Sequence, residues 1–143
     1  MIANITVAKV KLDVTSIRCA AQDPAAGAVV LFEGCTRNNY NGQSVETLGY
    51  EAFVAMAELE LESIRQEAMD LYKLNNCLIH HRLGEVPLME AALVVACSAA
   101  HRKEAFDAAM WIVDQIKDHV PIWKREKYVD GTEAWVEDIH RHE

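Results

Sequence analysis

From Ser98 to Glu126 the chain reads SAAHRKEAFDAAMWIVDQIKDHVPIWKRE, and this stretch restricts the fold more than any other. Phe106, Ala109, Ile112, Val113 and Ile116 recur at three- and four-residue steps, which predicts a helix of about five turns with one side buried. Just before it, residues 91–98 (AALVVACS) form a continuous apolar run, read as a strand central in its sheet. At about 100° per residue Arg102 falls on the apolar stripe and Lys117 on its edge, while Lys103, Glu104, Asp107 and Asp114 fall mostly away from it. Two readings of the pair stand open. Either both snorkel, with stems on apolar surface and charges in water, or they line an anion pocket. Convergence favours the pocket, because His101, Arg102, Lys117, Lys124 and Arg125 crowd into one short segment of a chain whose net charge is −8. A basic site in an acidic protein suits a small anionic ligand.

The same charge balance, 14 Lys+Arg against 22 Asp+Glu, excludes nucleic acid as the expected partner, since a polyanion calls for a broad basic surface. At 143 residues, 51% hydrophobic and 25% charged, the chain is expected to be one soluble domain over residues 1–143. Cys19, Cys35, Cys77 and Cys97 are scattered, with no C-x-x-C pair, and are read as reduced thiols. Lys9, Lys11, Asp13 and Arg18 interrupt any signal-like apolar core, and no run reaches membrane-spanning length. A cytoplasmic location and no membrane partner are expected.

Residues 4–10 predict a strand, and Asp13 caps a helix over 14–21. Pro24 and Gly27 mark a turn. Residues 28–37 and 45–53 read as two strands of one long hairpin around the loop 38–44, with Arg37 at its mouth. A helix over 54–74 carries Ala57, Leu61, Ile64, Ala68, Leu71 and Leu74 on one face and ends at Asn75-Asn76. Strands are expected at 77–83, 91–98, 121–128 and 133–137, with a turn at Asp130-Gly131 and a frayed tail over 138–143. His80 and His81 are adjacent, so in a strand they face opposite sides, and no metal site is expected there. The order predicts an α+β fold, a mainly antiparallel sheet with helices packed on one face. The G-x-G-x-x-G, P-loop and G-x-S-x-G motifs are absent.

Several separated pieces fit one pattern: Gly27-Ala-Val-Val, Phe32, Gly34-x-x-Arg37, Asn41-Gly, Leu48 with Tyr50-Glu51-Ala, Met56-Ala, His81-Arg-x-Gly84, Ser98-Ala-Ala-His-Arg102 with Ala105-Phe106, Lys117, and Pro121-x-Trp-Lys-Arg-Glu126. In their order and spacing they resemble the large, catalytic subunits of molybdopterin synthases, over about residues 27 to 137. The resemblance implies a hammerhead-like α/β arrangement and a sulfurtransferase of molybdenum cofactor biosynthesis. Its substrate would be cyclic pyranopterin monophosphate, and its partner a small ubiquitin-like sulfur carrier ending in a Gly-Gly thiocarboxylate. It implies a homodimer, a heterotetramer with two carriers, and no cofactor or metal.

Carried over by motif, Lys117 and Lys124 are the catalytic lysines, and Arg37, His101 and Arg102 hold the phosphate and pterin. Arg125, Glu126, Cys35 and Thr36 complete the lining. The chemistry agrees, because paired Arg donors grip phosphate, and a lysine crowded by cations and partly desolvated exchanges protons nearer neutrality. Cys35 and the tail at 138–141 depart from the pattern. Cys35 is expected to pack and not to relay sulfur, which the carrier supplies. A non-catalytic α+β module binding an anionic metabolite through the same cations is the alternative, and tolerance of Lys→Arg separates the two.

Overall fold

The computed structural model describes residues 2–40 and 42–136. In chain order the elements are β1 (Ile5–Ala8), α1 (Val14–Ala21), β2 (Ala28–Cys35), β3 (Asn39–Tyr40), β4 (Gln43–Ala52), α2 (Val54–Tyr72), β5 (Leu74–Arg82), β6 (Gly84–Pro87), β7 (Ala91–Ala99), α3 (Arg102–His119), β8 (Ile122–Tyr128) and β9 (Glu133–Val136). The fold is α+β, as expected, with two short strands, β3 and β6, that no periodicity announced. The tail at 138–143 lies outside the described residues, as do Asn41 and Glu137.

The strands form two sheets. The first has the order β1-β5-β7-β2, with β1 parallel to β5 and the other pairs antiparallel. The second is built on β4, which pairs with β3, β6 and β8, and β9 adds to β8. β7 is interior and buried almost end to end, which is why its sequence is apolar without alternation.

The expected hairpin between residues 28–37 and 45–53 does not form. β2 pairs with β7, from Ala28 opposite Ala99 to Cys35 opposite Ala91, whereas β4 belongs to the second sheet. The cause is visible at Thr36, which is buried and tied to the β6–β7 turn. Its hydroxyl donates to the Val86 carbonyl at 3.1 Å, its N–H donates to the Glu90 carbonyl, and its own carbonyl accepts from Met89 N–H. That anchor turns the chain out of the first sheet before it can fold back on β2.

Nor do the helices share one face. On one side of the first sheet Ile17 and Ala21 of α1 pack with Leu78, Val94 and Ala96, and on the other α2 and α3 pack with Cys77, Ile79, Val95 and Cys97. The alternation of β5 and β7 divides these sets residue by residue. α1 begins where Asp13 accepts from Ser16 N–H at 3.1 Å, the cap that its sequence predicted. α2 stops earlier than expected. Its C-cap is Lys73 in the left-handed region (φ 54°), and Asn75 and Asn76 already lie in β5.

On α3 the buried stripe is Ala105, Ala108, Ala109, Ile112, Val113 and Ile116, and each of its three large members contributes roughly 1.5–3 kcal/mol by leaving water. Phe106 was assigned to that stripe, but it is 60% exposed, about 90° off the stripe's centre. No helix among the described residues is long and apolar enough to cross a membrane.

Candidate functional site

The first sheet has two ends, and the cations divide between them. β7 delivers the chain to His101 and Arg102 at the end where Ala99 faces Ala28. There the turn is packed tightly on Gly27, where an added Cβ would stand 2.4 Å from the Ala100 carbonyl oxygen, so only glycine lets the turn sit so close. α3 then runs back over β7 and β2. Lys117 in its last turn therefore returns to the opposite end, where β2 finishes and Arg37 follows.

The second sheet is attached at that same end, because β5 passes into β6 there and the His81 and Tyr50 rings meet edge to face at 5.0 Å. Across residues 120–121, β8 begins and places Lys124 opposite Tyr50 of β4. Arg37, Lys117 and Lys124 thus share one end of the molecule, and His101 and Arg102 occupy the other. Along α3 the Cα separation of Arg102 and Lys117 is roughly 22 Å.

Alternation along β8 sorts its charged residues. Lys124, Glu126 and Tyr128 lie on one face with Tyr50, and Arg125 lies on the other. Arg125 crosses Gly49, approaches Glu133 at 3.2 Å and reaches Glu85 at 4.0 Å, so it ties β6, β8 and β9 together on the face away from Lys124. Glu126 is only 4% exposed and accepts from the Tyr128 hydroxyl at 2.8 Å. Tyr50 beside it is pushed well above the ordinary phenol range, first by burial and then by the Glu126 charge, so it stays protonated.

Arg37, His101 and Arg102 are exposed and have no hydrogen bond or ion pair to a described residue, so their donors point to solvent. Lys117 is exposed and Lys124 half-buried, and both have partners within the fold. Thr36 spends its hydroxyl on Val86 and is buried. Cys35 is exposed and not packed as expected, and burial followed by the Glu33 charge pushes its thiol up, away from the reactive thiolate.

Tyr50 and His81 belong to the family pattern and Tyr128 ends an expected strand, but sequence reasoning assigned none of these three polar groups, which border the face of Lys124, a role at the site. The available signal was the period-two spacing of Lys124, Glu126 and Tyr128. As expected, His80 and His81 face opposite sides. His80 Nε2 donates to the Ala3 carbonyl at 2.7 Å, and His81 Nδ1 donates to the Arg82 carbonyl at 2.9 Å. No group of three or more His, Cys, Asp or Glu arranged to hold a metal ion occurs among the described residues.

Burial pushes His81 down to about 4, so it stays neutral in the fold and charges only on acidification. The native state binds that proton less readily than the unfolded chain does. His81 therefore contributes stability that is present above about pH 6.5 and is lost as pH falls through 4, up to about 3 kcal/mol. Urea midpoints measured from pH 7 to pH 4 should fall less steeply in His81→Gln than in the wild-type chain. Equal slopes would remove His81 from the acid sensitivity.

These observations define a class: an α+β protein with solvent-facing cations collected at two ends of one sheet, suited to an anionic substrate. Residues 7–119 match the family model described as "MoaE protein". Among named relatives, the molybdopterin synthase catalytic subunit of Pyrococcus abyssi is 46% identical over 113 residues, 79% of this chain and 76% of that one. The protein of the same name from Oryza sativa subsp. indica is 44% identical over 128 residues, covering 90% of this chain and 66% of that one. The chain therefore spans just under two thirds of the rice protein's length. The crystal structure of molybdopterin synthase from Staphylococcus aureus superposes with a TM-score of 0.89 at 31% identity, over 96% of this chain and 99% of that one. The chain belongs to the MoaE protein family.

Proposed function

We propose that the chain is the catalytic subunit of a molybdopterin synthase and transfers sulfur from the thiocarboxylate of a small ubiquitin-like carrier to cyclic pyranopterin monophosphate. The observation that carries this reading is the gathering of Lys117, Lys124 and Arg37 at one end of the fold, in a family whose named relatives are molybdopterin synthase catalytic subunits. Arg37, His101 and Arg102 hold the phosphate and pterin through charge-assisted hydrogen bonds. Lys117 and Lys124 move protons or act as nucleophiles where sulfur enters. In each transfer the thiocarboxylate sulfur bonds to a substrate carbon while a C–O bond at that carbon breaks and its oxygen leaves, on the phosphate or as water. Water then adds to the carrier's acyl carbon, the acyl C–S bond breaks with the sulfur staying on the substrate, and the carrier leaves as a carboxylate. A dithiolene has two sulfurs, so each product consumes two loaded carriers.

One chain does not assemble this set. Arg102 and Lys117 stand roughly 22 Å apart on one uninterrupted helix, beyond the comfortable reach of one small pterin. A symmetric dimer resolves the conflict if each site takes His101 and Arg102 from one copy and the lysines from the other. With one carrier per site the assembly is a heterotetramer.

The carrier's tail must reach the lysines as an extended peptide held by backbone hydrogen bonds, because Gly-Gly offers no side chains. One residue added after its terminal glycine moves the sulfur by about 3.3 Å, and turnover should fall by two orders of magnitude or more. Steady-state product formation with the extended carrier measures this. Unchanged turnover would argue against an inserted tail.

A further inference from the structure

Two buried thiols that the chemistry above does not use stand directly opposite each other in the first sheet. β5 and β7 are antiparallel, and their register sets Cys77 against Cys97. Both side chains lie on the side that α2 and α3 cover, at 1% and 0% exposure. Cys19 and Cys35, by contrast, are exposed, on α1 and at the end of β2.

Backbone hydrogen bonds fix what kind of pair the two buried cysteines make. In a strand with a neighbour on each side, alternate residues turn N–H and C=O together toward one neighbour and then the other. Ile79 N–H donates to the Asn4 carbonyl and Leu83 N–H to the Ala8 carbonyl, each at 2.8 Å. The odd-numbered residues of β5, Cys77 among them, therefore turn their backbone toward β1. On β7 the Ala99 carbonyl accepts from Gly27 N–H at 3.0 Å, so the odd-numbered residues there, Cys97 among them, turn toward β2. Neither cysteine spends its backbone on the other. They form a non-hydrogen-bonded pair, the type whose Cα atoms approach to about 4.5 Å and whose side chains stand closest. A disulfide spans Cα separations of about 4.4–6.8 Å, so the reduced pair already lies in bridging range, near its short end. The sulfurs are also in contact. The Cys97 thiol is pushed well above the ordinary thiol range, first by its hydrogen bond with Cys77 and then by burial. Arg65, paired with Glu62 at 2.8 Å, has Cys77 within its electrostatic reach.

We propose that Cys77 and Cys97 are a latent redox staple, joined by hydrogen peroxide in a cross-strand disulfide and released again by small thiols. Cys77, the sulfur with a guanidinium nearby, attacks one peroxide oxygen. The O–O bond breaks, and a sulfenic acid and one water form. The Cys97 sulfur then displaces the hydroxyl from Cys77, so that an S–S bond replaces the S–O bond and the Cys97 proton leaves in a second water. Two electrons pass from the sulfurs to the peroxide. Local opening beneath α2 and α3 admits the oxidant, which is little larger than water. In a reducing compartment such a bond is transient and sensing. It ties β7, which delivers His101 and Arg102, to β5, which leads into the second sheet, and so stiffens the frame that positions both groups of cations. The inference stands apart from the functional reading above.

The test uses the full chain as Cys19→Ser/Cys35→Ser, which leaves the buried pair as its only thiols. The folded chain is treated with hydrogen peroxide, quenched, unfolded and alkylated. Mass spectrometry should then find it two hydrogens lighter, unalkylated, and with the peptides of Cys77 and Cys97 joined, and dithiothreitol should restore both thiols. The oxidised chain should unfold roughly 5–10 °C above the reduced one, the gain expected of a bridge that closes a loop of this length with some strain. Cys77→Val and Cys97→Val, each added to this background, should show neither the internal bridge nor the rise. Two thiols that survive peroxide while glutathione in the same solution is oxidised, sulfinic acids in place of a bridge, or a midpoint that fails to rise would overturn the staple. Sulfur transfer enters none of these measurements.

Discussion

Lys117→Ala is expected to lower sulfur transfer by at least 10²-fold while the fold remains intact. Loss of a positioned proton-transfer group costs about 10²–10⁴ in rate. The expected structural cost is small by comparison. Lys117 is exposed in the last turn of α3, where a cation favours the helix dipole by about 0.3–1 kcal/mol, and its removal takes no volume from the buried stripe. Conversion of cyclic pyranopterin monophosphate, followed by mass spectrometry, measures the loss, and thermal unfolding checks the fold. Lys117→Arg extends the test, because it keeps the charge but not the proton exchange or the nucleophile. Catalysis by Lys117 predicts a defect close to that of alanine, whereas a module that merely binds an anion would tolerate arginine. Near wild-type turnover in folded Lys117→Ala would remove this lysine from the mechanism.

Restoration of activity by mixing two dead variants is the second large effect. If each site takes Arg102 from one copy and Lys117 from the other, Arg102→Ala and Lys117→Ala should each disable both sites of the symmetric dimer. In a mixed dimer one site collects both defects and the other is intact. Random pairing after unfolding and co-refolding should therefore recover about a quarter of all sites. Mass spectrometry of the intact assembly verifies that mixed dimers are present. If that mixture stays as inactive as its parents, Arg102 and Lys117 act within one chain, and the divided geometry needs another explanation.

Local chemistry wrote the legible part of this fold. Asp13 starts and caps α1, the 3.6-residue period of residues 105–116 defines α3, and the unbroken apolar run from Ala91 marks the interior strand. Pairing was less legible, because strand propensity does not name a partner. β2 and β4 are neighbours in sequence and fit a hairpin, yet Thr36, held by Val86, Met89 and Glu90, sends them to different sheets. The candidate site shows the same division. Residue type and the family pattern singled out Arg37, His101, Arg102, Lys117 and Lys124, but only the alternation of β8 separates Arg125 from Lys124. The fates of Thr36 and Glu126, buried and bonded to Val86 and Tyr128, depend on tertiary contacts that no local pattern encodes.

The most direct test of the whole account is a reconstituted turnover. The purified chain is mixed with a carrier ending in a Gly-Gly thiocarboxylate and with cyclic pyranopterin monophosphate, and the pterin products are resolved by mass spectrometry. The expected result is a dithiolene product bearing two sulfurs, two carriers converted to carboxylates per product, and no product when the carrier ends in an ordinary carboxylate. A folded, dimeric chain that binds the loaded carrier and the pterin yet leaves both unchanged would contradict it.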